Sequence, residues 1–176
     1  MSTSVLAAVA RESGINDLGI LEAAIQVARA LLVREAVNEY LANAQKISDP
    51  QNAADILRPY LVKQEQEVMV VLLLDTKNHP LHVIHLYKGT LNAAQVRVAE
   101  IFREAIRINA AGVILAHNHH SGDPTPSPED IAITRQIVEA GNLLEIPVLD
   151  HLVFGQDDKW VSIHKYSPSS FKEVKP

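Results

Sequence analysis

The sequence predicts a mixed α/β fold, in which helices pack on a mixed, mostly central β-sheet. The apolar runs Val68–Leu74 and Ala110–Ala116 are too short for buried helices and are typical of strands covered on both faces. Longer stretches of helical composition surround them, so the predicted order of elements is α, α, β, β, α, β, α, β, β. This order excludes a barrel or a helical bundle, and 176 residues suffice for one domain with a small appendage.

Two helices are predicted in the N-terminal part of the chain. From about Leu18 to Ala44 the sequence is rich in Ala, Leu, Ile, Glu and Arg, which favours one long helix. Ser48-Asp49-Pro50 then supplies a cap and a first-turn proline for a helix to about Gln64, which Pro59 should bend or shorten. A change in composition around Gln45 to Asp49 marks the predicted domain boundary. The predicted parts are a helical segment (1–46), the main domain (47–170) and a tail (171–176).

The later elements are predicted as a hairpin, a helix, a third strand, a further helix and two closing strands. In order, they are Val68–Leu74, Leu81–Tyr87, about Leu91–Asn109, Ala110–Ala116, Ser127–Leu144, Pro147–Phe154 and Lys159–Ile163. Lys77–Pro80 supplies the hairpin turn, Gly89 ends the hairpin, and the polar segment Gly155–Asp158 separates the closing strands. The end of the chain from Ser167 to Pro176 is rich in Ser, Lys and Pro, which predicts a loose tail.

Composition restricts the chemistry that this chain can perform. With 16 basic against 21 acidic side chains, its net charge is −5, the wrong overall sign for binding a phosphate backbone by counterion release. Because cysteine is absent, disulfides, thiolate zinc sites and cysteine nucleophiles are excluded, and any metal must be held by histidine and carboxylates. No signal peptide is recognisable, and no apolar run approaches the roughly 18 residues of a membrane span, so we expect a cytoplasmic protein without membrane contact.

A group of possible metal ligands begins where the third strand ends. Residues i and i+2 of a strand point to the same face, so His117 and His119 project together while Asn118 points away. The following loop, stiffened by proline, delivers Ser127 and Asp130 into the first turn of the next helix. Two histidines and one aspartate leave the fourth position of zinc open for water, whose pKa falls to about 7. The pattern therefore predicts a catalytic single-metal site.

The same residues also fit a purely structural interpretation. Ser127-Pro128-Glu129-Asp130 is a good helix start, with Ser127 as the N-cap and Asp130 at the third helical position of a capping box. The two interpretations are compatible, since a helix N-terminus close to the metal favours an ionised Asp130 and the negative charge of a hydrolytic transition state.

The spacing H-x-H, seven residues, S, two residues, D resembles the motif of the JAMM (JAB1/MPN+) metalloproteases. Its flanks, Leu-Ala before His117 and Ser121-Gly122-Asp123-Pro124 after it, are similar to the bacterial RadC-type branch, as are Leu72–Asn78, Gly89–Leu91 and Asp150-His151. The resemblance covers about Ile47 to the C-terminus. It implies the JAB/MPN fold, an α-β-α sandwich related to deaminase-like folds. It also implies one zinc ion bound by His117, His119, Asp130 and a water, with Ser127 supporting the oxyanion.

The resemblance further requires a glutamate on an early strand, which takes a proton from the zinc-bound water and passes it to the leaving group. Glu65 and Glu67 are the candidates, and both lie on one face if the strand begins that early. We select Glu67, because it directly precedes the apolar run and stands eight residues before Asp75, as the acid of the family does. In the alternative interpretation, both are solvated charges at a strand entry.

Six other histidines and Asp150 are further polar groups with possible roles near the site. Asp150 and His151 are either second-shell partners that orient the metal ligands or an ordinary polar pair at a strand end. His120 replaces a proline usual in RadC-like sequences and is expected at the surface. Histidines without ligand spacing are expected to be structural: His79, His82, His85 and His164. The letters H-N-H do not predict an HNH nuclease, whose residues are spread over a ββα-metal unit.

These observations predict a zinc-dependent hydrolase of amide bonds, by resemblance a JAMM-type metallopeptidase or isopeptidase acting on a protein or peptide. One alternative is a DNA-repair or mobile-element accessory protein that binds DNA or a partner and keeps a structural metal. Residues 14–20 retain at most a reduced trace of the helix-hairpin-helix that often precedes this domain, which gives DNA binding little support. Phosphodiester hydrolysis at the same metal is a third option, disfavoured by the lack of basic clamps. The sequence leaves the oligomeric state undetermined.

Overall fold

The computed structural model describes residues 19–20, 22–28, 32, 46–62, 64–88 and 97–172. The chain divides into two compact units, residues 1–41 and 42–176. In the first unit, residues 19–20, 22–28 and 32 are helical, and the rest of the helix predicted from Leu18 to Ala44 lies outside the described residues. The same holds for most of the helix-hairpin-helix trace at 14–20. Within the described part of the chain, no helix is long and apolar enough to cross a membrane.

The second unit is built on a five-stranded mixed sheet with the strand order β2-β1-β3-β4-β5. Its strands are β1 (Val68–Leu74), β2 (Pro80–Lys88), β3 (Gly112–Asn118), β4 (Val148–Phe154) and β5 (Trp160–Ser162). The pairs β1–β2, β1–β3 and β4–β5 are antiparallel, and β3–β4 is parallel. All five predicted strands and the β1–β2 hairpin are confirmed. The third strand both begins and ends two residues later than predicted, so that it includes His117 and Asn118.

Among the described residues of the second unit, four helices and one 3-10 helix surround the sheet. They are α1 (Pro50–Leu61), α2 (Val98–Arg107), α3 (Pro128–Leu143), α4 (Ile163–Tyr166) and the 3-10 helix Pro168–Phe171. Asp49 caps α1 by accepting a hydrogen bond from the backbone N–H of Asn52 at 3.1 Å. Since proline has no N–H to donate, Pro59 is tolerated only near an end, and α1 stops at Leu61 instead of near Gln64. The predicted start of the next helix at Leu91 and the hairpin end at Gly89 lie outside the described residues.

Helices cover both faces of the sheet, which confirms the α-β-α sandwich. On one face, a buried cluster joins β1 and β3 to α2 and α3, with the core residues Val71, Leu73, Ile101, Phe102, Val113, Leu115, Ile133 and Ile137. The other face is covered by α1, whose buried side chains are Ala53, Ala54, Ile56, Leu57 and Leu61. Every residue of β1 and β3 is therefore buried. Polar side chains of β3 occur only at its carboxyl end, where His117 and Asn118 are buried.

The C-terminal region differs from the prediction. The segment from Ser167 was expected to be loose, but α4 and the 3-10 helix follow β5 directly, and Ser170 is buried. The 3-10 helix packs against α3 and α4, and the ring of Phe171 stacks on that of His164 with centroids 4.5 Å apart. For residues 167–172 the expectation of a loose tail is therefore wrong. These two helical turns left no sign in the sequence, because they are too short to show helical periodicity. Residues 173–176 lie outside the described part of the chain.

Candidate metal centre

Two histidine side chains meet an aspartate at the carboxyl end of β3. His117 is fully buried, and the side chain of His119, just beyond the strand, is 14% exposed. Their Nε2 atoms lie 3.0 Å apart. Asp130 completes the group, with its Oδ1 3.2 Å from His117 Nε2 and its Oδ2 3.1 Å from His119 Nε2. The structure therefore brings together the three predicted ligands as a possible metal site.

The spacing of these ligand atoms fits a single small cation. Four ligands held tetrahedrally at the zinc–nitrogen distance of about 2.0–2.1 Å lie about 3.3–3.4 Å from one another. The observed separations of 3.0–3.2 Å are slightly shorter, so a small outward movement of the side chains would complete the coordination. His119 and Asp130 also line a cavity of about 420 Å³, which leaves room for a further ligand beside them.

Asp130 is delivered to the site by the first turn of α3. Ser127 is the N-cap, and its side chain accepts from the backbone N–H of Asp130 at 3.1 Å, so the predicted capping box is present. In return, the backbone N–H and the hydroxyl of Ser127 both donate to Asp130 Oδ2, at 2.8 and 2.6 Å. The capping box thus occupies Oδ2 and leaves Oδ1 available to a cation. Burial raises the pKa of Asp130, but the adjacent His117 and His119 side chains and the hydrogen bond from Ser127 outweigh it and hold that pKa far below its usual range.

The β3–α3 loop, residues 119–127, orients the second histidine. His119 Nδ1 lies 2.7 Å from the carbonyl oxygen of Asp123, which can only accept, so Nδ1 donates and Nε2 keeps a lone pair for a metal. This loop packs tightly on the β4–β5 turn. A Cβ at Gly155 would collide with the carbonyl oxygen of Gly122 and the ring of Pro124, and for that reason only glycine fits at this position.

His117 is held by a different partner, His151 of β4. His117 Nδ1 and His151 Nε2 are 2.9 Å apart, and His151 Nδ1 lies 2.7 Å from Thr134 Oγ1 on α3. His151 is fully buried, and burial lowers its pKa well below the usual value. Of Asp150 and His151, the structure therefore places His151 against the side chain of a candidate ligand.

Asp150 has a different role. Its carboxylate accepts from Ser162 Oγ at 2.7 Å and from the backbone N–H groups of His151 and His164 at 2.7 and 3.1 Å. These bonds join β4 to the start of α4. Burial raises the pKa of Asp150, although the three donors act in the opposite direction. Asp150 thus fixes the backbone that carries His151 rather than a ligand side chain.

Asn118, between the two histidines, holds the segment that carries Glu67. Its Oδ1 accepts from the backbone N–H of Val68 at 2.7 Å, and its Nδ2 donates to the carbonyl oxygen of Gln66 at 3.1 Å. Glu67 lies between these two anchors and lines the same cavity as His119 and Asp130. Sequence reasoning missed this role of Asn118. The only available signal was that a buried amide between two ligand positions must find partners.

The structure distinguishes the two glutamates that were considered as proton carriers. β1 begins at Val68, so neither Glu65 nor Glu67 lies within the strand. Glu65 is exposed, whereas Glu67 is partly buried and lies close enough to His119 to help raise that histidine's pKa, to which a hydrogen bond with Asp130 contributes most. The position of Glu67 therefore fits the predicted role better than that of Glu65.

The other histidines lie away from the three ligands or at the surface. His120 is exposed and, with His119, lines a second cavity of about 420 Å³ that extends towards the end of α1 and the β4–β5 turn. His79 pairs with Asp75 in the hairpin turn at 3.2 Å, and the ring of His85 lies 5.6 Å from that of Tyr60. These contacts agree with the structural roles that were expected for His79 and His85.

Comparison with known proteins gives one family. A family model described as the RadC-like JAB domain matches residues 47–167. A UPF0758 protein of Roseiflexus castenholzii is 45% identical over 145 residues, which cover 82% of this chain and 60% of that protein. A UPF0758 protein of Chloroflexus aurantiacus is 43% identical over 152 residues, 86% of this chain and 64% of its own length. A UPF0758 protein of Bacillus cereus is 41% identical over 149 residues, which cover 85% of this chain and 66% of that protein. The chain thus spans somewhat less than two thirds of these curated relatives, and their names state no activity.

Proposed function

The chain belongs to the RadC-like JAB domain family, and we propose that it is a zinc-dependent hydrolase of amide bonds, a metallopeptidase or isopeptidase. The observation that carries the proposal is the convergence of His117 Nε2, His119 Nε2 and a carboxylate oxygen of Asp130 beside an open cavity. Three protein ligands with one remaining position are typical of catalytic zinc, whereas structural zinc has four protein ligands. Nitrogen and carboxylate ligands without sulfur suit zinc, and both histidines have partners on their other nitrogen.

A zinc ion in this site would lower the pKa of a bound water to about 7 and polarise the carbonyl of a substrate. The remaining steps belong to protein groups. Glu67, in the same cavity, would accept the proton of the attacking water and deliver it to the leaving amine. Asn118 holds the backbone on both sides of Glu67, which limits the movement of that carboxylate.

Ser127 was predicted to stabilise the oxyanion, and this role stays a prediction. In the structure its hydroxyl proton is donated to Asp130 Oδ2 at 2.6 Å. The hydroxyl must therefore rotate towards the substrate before it can donate to a developing oxyanion. If it does so, the backbone N–H of Ser127 still holds Asp130 in place at 2.8 Å.

The surroundings of the site favour a peptide over a nucleic acid. Among the described residues that line the two cavities beside His119, none is Lys or Arg. The first cavity instead contains four carboxylates, those of Glu67, Asp123, Glu129 and Asp130. A phosphate backbone would be repelled there, which disfavours both phosphodiester hydrolysis and DNA binding at this site. Two cavities that are both lined by His119 suit an extended chain that passes the proposed metal.

Metal analysis of tag-free protein tests the metal part of the proposal. We expect one zinc per chain in the wild type and its loss in both His117→Ala and Asp130→Ala. Glu67→Gln should retain the metal, since this residue is not a proposed ligand. A wild-type protein without stoichiometric metal under non-chelating conditions would contradict the proposal.

Digestion of a complex peptide library, with products identified by mass spectrometry, tests the hydrolytic part. We expect cleavage by the zinc-loaded wild type, at least a hundredfold less by Glu67→Gln, and near wild-type cleavage by the matched control Glu65→Gln. Cleavage that survives Glu67→Gln would remove Glu67 from the mechanism. Salt-sensitive binding of labelled DNA with no peptide cleavage would instead support the accessory-protein alternative.

A further inference from the structure

The hydrogen bonds behind His117 form a directed chain that involves no solvent-exposed group. His117, His151 and Thr134 are all fully buried and lie on β3, β4 and α3 respectively. His117 Nδ1 lies 2.9 Å from His151 Nε2, and His151 Nδ1 lies 2.7 Å from Thr134 Oγ1. Thr134 Oγ1 in turn lies 2.6 Å from the carbonyl oxygen of Asp130. All three distances are typical of hydrogen bonds.

We propose that Thr134 and His151 fix the proton of His117 on Nδ1, and that they thereby keep His117 Nε2 available as a metal ligand. The inference extends the proposed function, because it assigns positioning residues to the same metal centre. Neither residue touches the metal position or the cavity beside it, so they would act only through His117.

The direction of the hydrogen-bond chain follows from its last acceptor, the carbonyl oxygen of Asp130. A carbonyl oxygen can only accept, so the single proton of Thr134 Oγ1 is donated to the backbone oxygen of Asp130. Thr134 Oγ1 must then accept from His151, which places a proton on His151 Nδ1. In a neutral ring the other nitrogen of His151 carries no proton and accepts from His117 Nδ1.

The opposite arrangement would weaken metal binding, because the metal would have to displace a proton from His117 Nε2. If His151 carried its proton on Nε2, it would donate to His117 Nδ1, and the proton of a neutral His117 would move to Nε2. That nitrogen points towards His119 Nε2 and Asp130 Oδ1, so a proton would occupy the position of the cation. Thr134 decides between the two arrangements, since it offers His151 Nδ1 an acceptor and has no second proton to donate.

The hydrogen-bond chain also couples two proposed ligands from different elements. It begins at His117 on β3 and ends at the backbone of Asp130 on α3, so the two residues that would share the metal are already joined behind it. A metal-free protein therefore keeps both side chains close to their binding positions. Preorganisation of this kind raises affinity, because less conformational freedom is lost on binding.

Substitutions at Thr134 test the inference directly. Thr134→Val preserves the shape of the side chain and removes the hydroxyl, while Thr134→Ser keeps the hydroxyl and serves as the matched control. We expect the zinc dissociation constant, measured by competition with a chromogenic chelator, to rise about 10–100-fold in Thr134→Val and to stay within about threefold of wild type in Thr134→Ser. Equal effects of the two variants, or no effect of Thr134→Val, would overturn the inference.

Nitrogen-15 NMR of the imidazole groups provides a readout that a loss of packing would not produce. In the metal-free wild type we expect a protonated Nδ1 in both His117 and His151 and an unprotonated Nε2 in His151. In Thr134→Val the proton of His151 should move to Nε2. An unprotonated Nδ1 of His117 in the wild type would overturn the inference without any variant.

If Thr134→Val does not fold, substitutions at His151 replace it. Glutamine can accept from His117 and donate to Thr134, so His151→Gln should retain zinc affinity within about tenfold, whereas His151→Leu should lose far more. Equal losses in these two variants would also overturn the inference. Because the NMR experiment uses metal-free protein, it tests the chain even if the wild type binds no zinc, an outcome that would contradict the proposed function alone.

Discussion

Asn118 offers the sharpest test of how the fold positions its proposed proton carrier. Replacing it with alanine removes the acceptor of the Val68 N–H at 2.7 Å and the donor to the Gln66 carbonyl at 3.1 Å. Val68 is buried, so its N–H is left without a partner, which costs about 1–3 kcal/mol, and the half-exposed second bond contributes about 0.5–1 kcal/mol. We therefore expect Asn118→Ala to lower the free energy of unfolding by about 1.5–4 kcal/mol.

The same substitution should separate metal binding from hydrolysis. Asn118 contacts the chain on both sides of Glu67, and its side chain is not among the three proposed ligands. We expect zinc affinity within about threefold of wild type, while peptide cleavage falls at least tenfold because Glu67 is held less firmly. Urea denaturation, chelator competition and peptide cleavage measure the three quantities.

A matched variant and a clear negative outcome complete this test. Asn118→Asp keeps the acceptor for Val68 but loses the donor to Gln66, so its loss of stability should lie between those of the wild type and Asn118→Ala. A loss of less than about 0.5 kcal/mol in Asn118→Ala would refute the clamp. Unchanged cleavage in a variant that is destabilised as expected would refute its link to Glu67.

Three further predictions concern the loop, the helix cap and the metal. Gly155→Ala should weaken zinc binding about tenfold, because the new Cβ collides with the carbonyl oxygen of Gly122 and displaces the β3–α3 loop. In the control Gly112→Ala, the new Cβ would lie 3.4 Å from its nearest neighbour, so zinc affinity should not change. Ser127→Ala should cost about 1 kcal/mol in urea denaturation by removing the N-cap of α3, and Ser127→Thr should restore it; equal losses would contradict the capping role. Removing zinc with a chelator should lower the melting temperature, by an amount that grows with the zinc concentration of the reference sample, and no shift would exclude binding to the folded state.

The sequence was sufficient to predict the sheet and the proximity of the three candidate ligands. An apolar run such as Val68–Leu74 can be buried along its whole length only if both faces are covered, so it predicts a central strand of a sandwich without further information. His117 and His119 lie two residues apart, and Asp130 is fixed by the helix start at Ser127, so local geometry already relates the three ligands.

The contacts that sequence reasoning missed or left open depend on the pairing of distant strands. His151 reaches His117 only because β4 runs parallel and adjacent to β3, a pairing that depends on the crossover through α3. Asn118 was correctly predicted to point away from the ligands, but its partners beside Glu67 follow from the antiparallel pairing of β1 and β3. Thr134, one helical turn after Asp130, gave no signal because an i−4 bond from threonine to the backbone is ordinary in helices.

X-ray absorption at the zinc edge, on tag-free protein loaded with one equivalent of zinc, shows whether His117, His119 and Asp130 bind one zinc ion. We expect four ligands at about 2.0–2.1 Å, two of them imidazoles and the others oxygens from Asp130 and a water. In Asp130→Ala the site should lose its zinc, while Glu67→Gln should leave the spectrum unchanged. A shell of six oxygens, or a single imidazole, would show that His117 and His119 do not share one metal and would contradict the account.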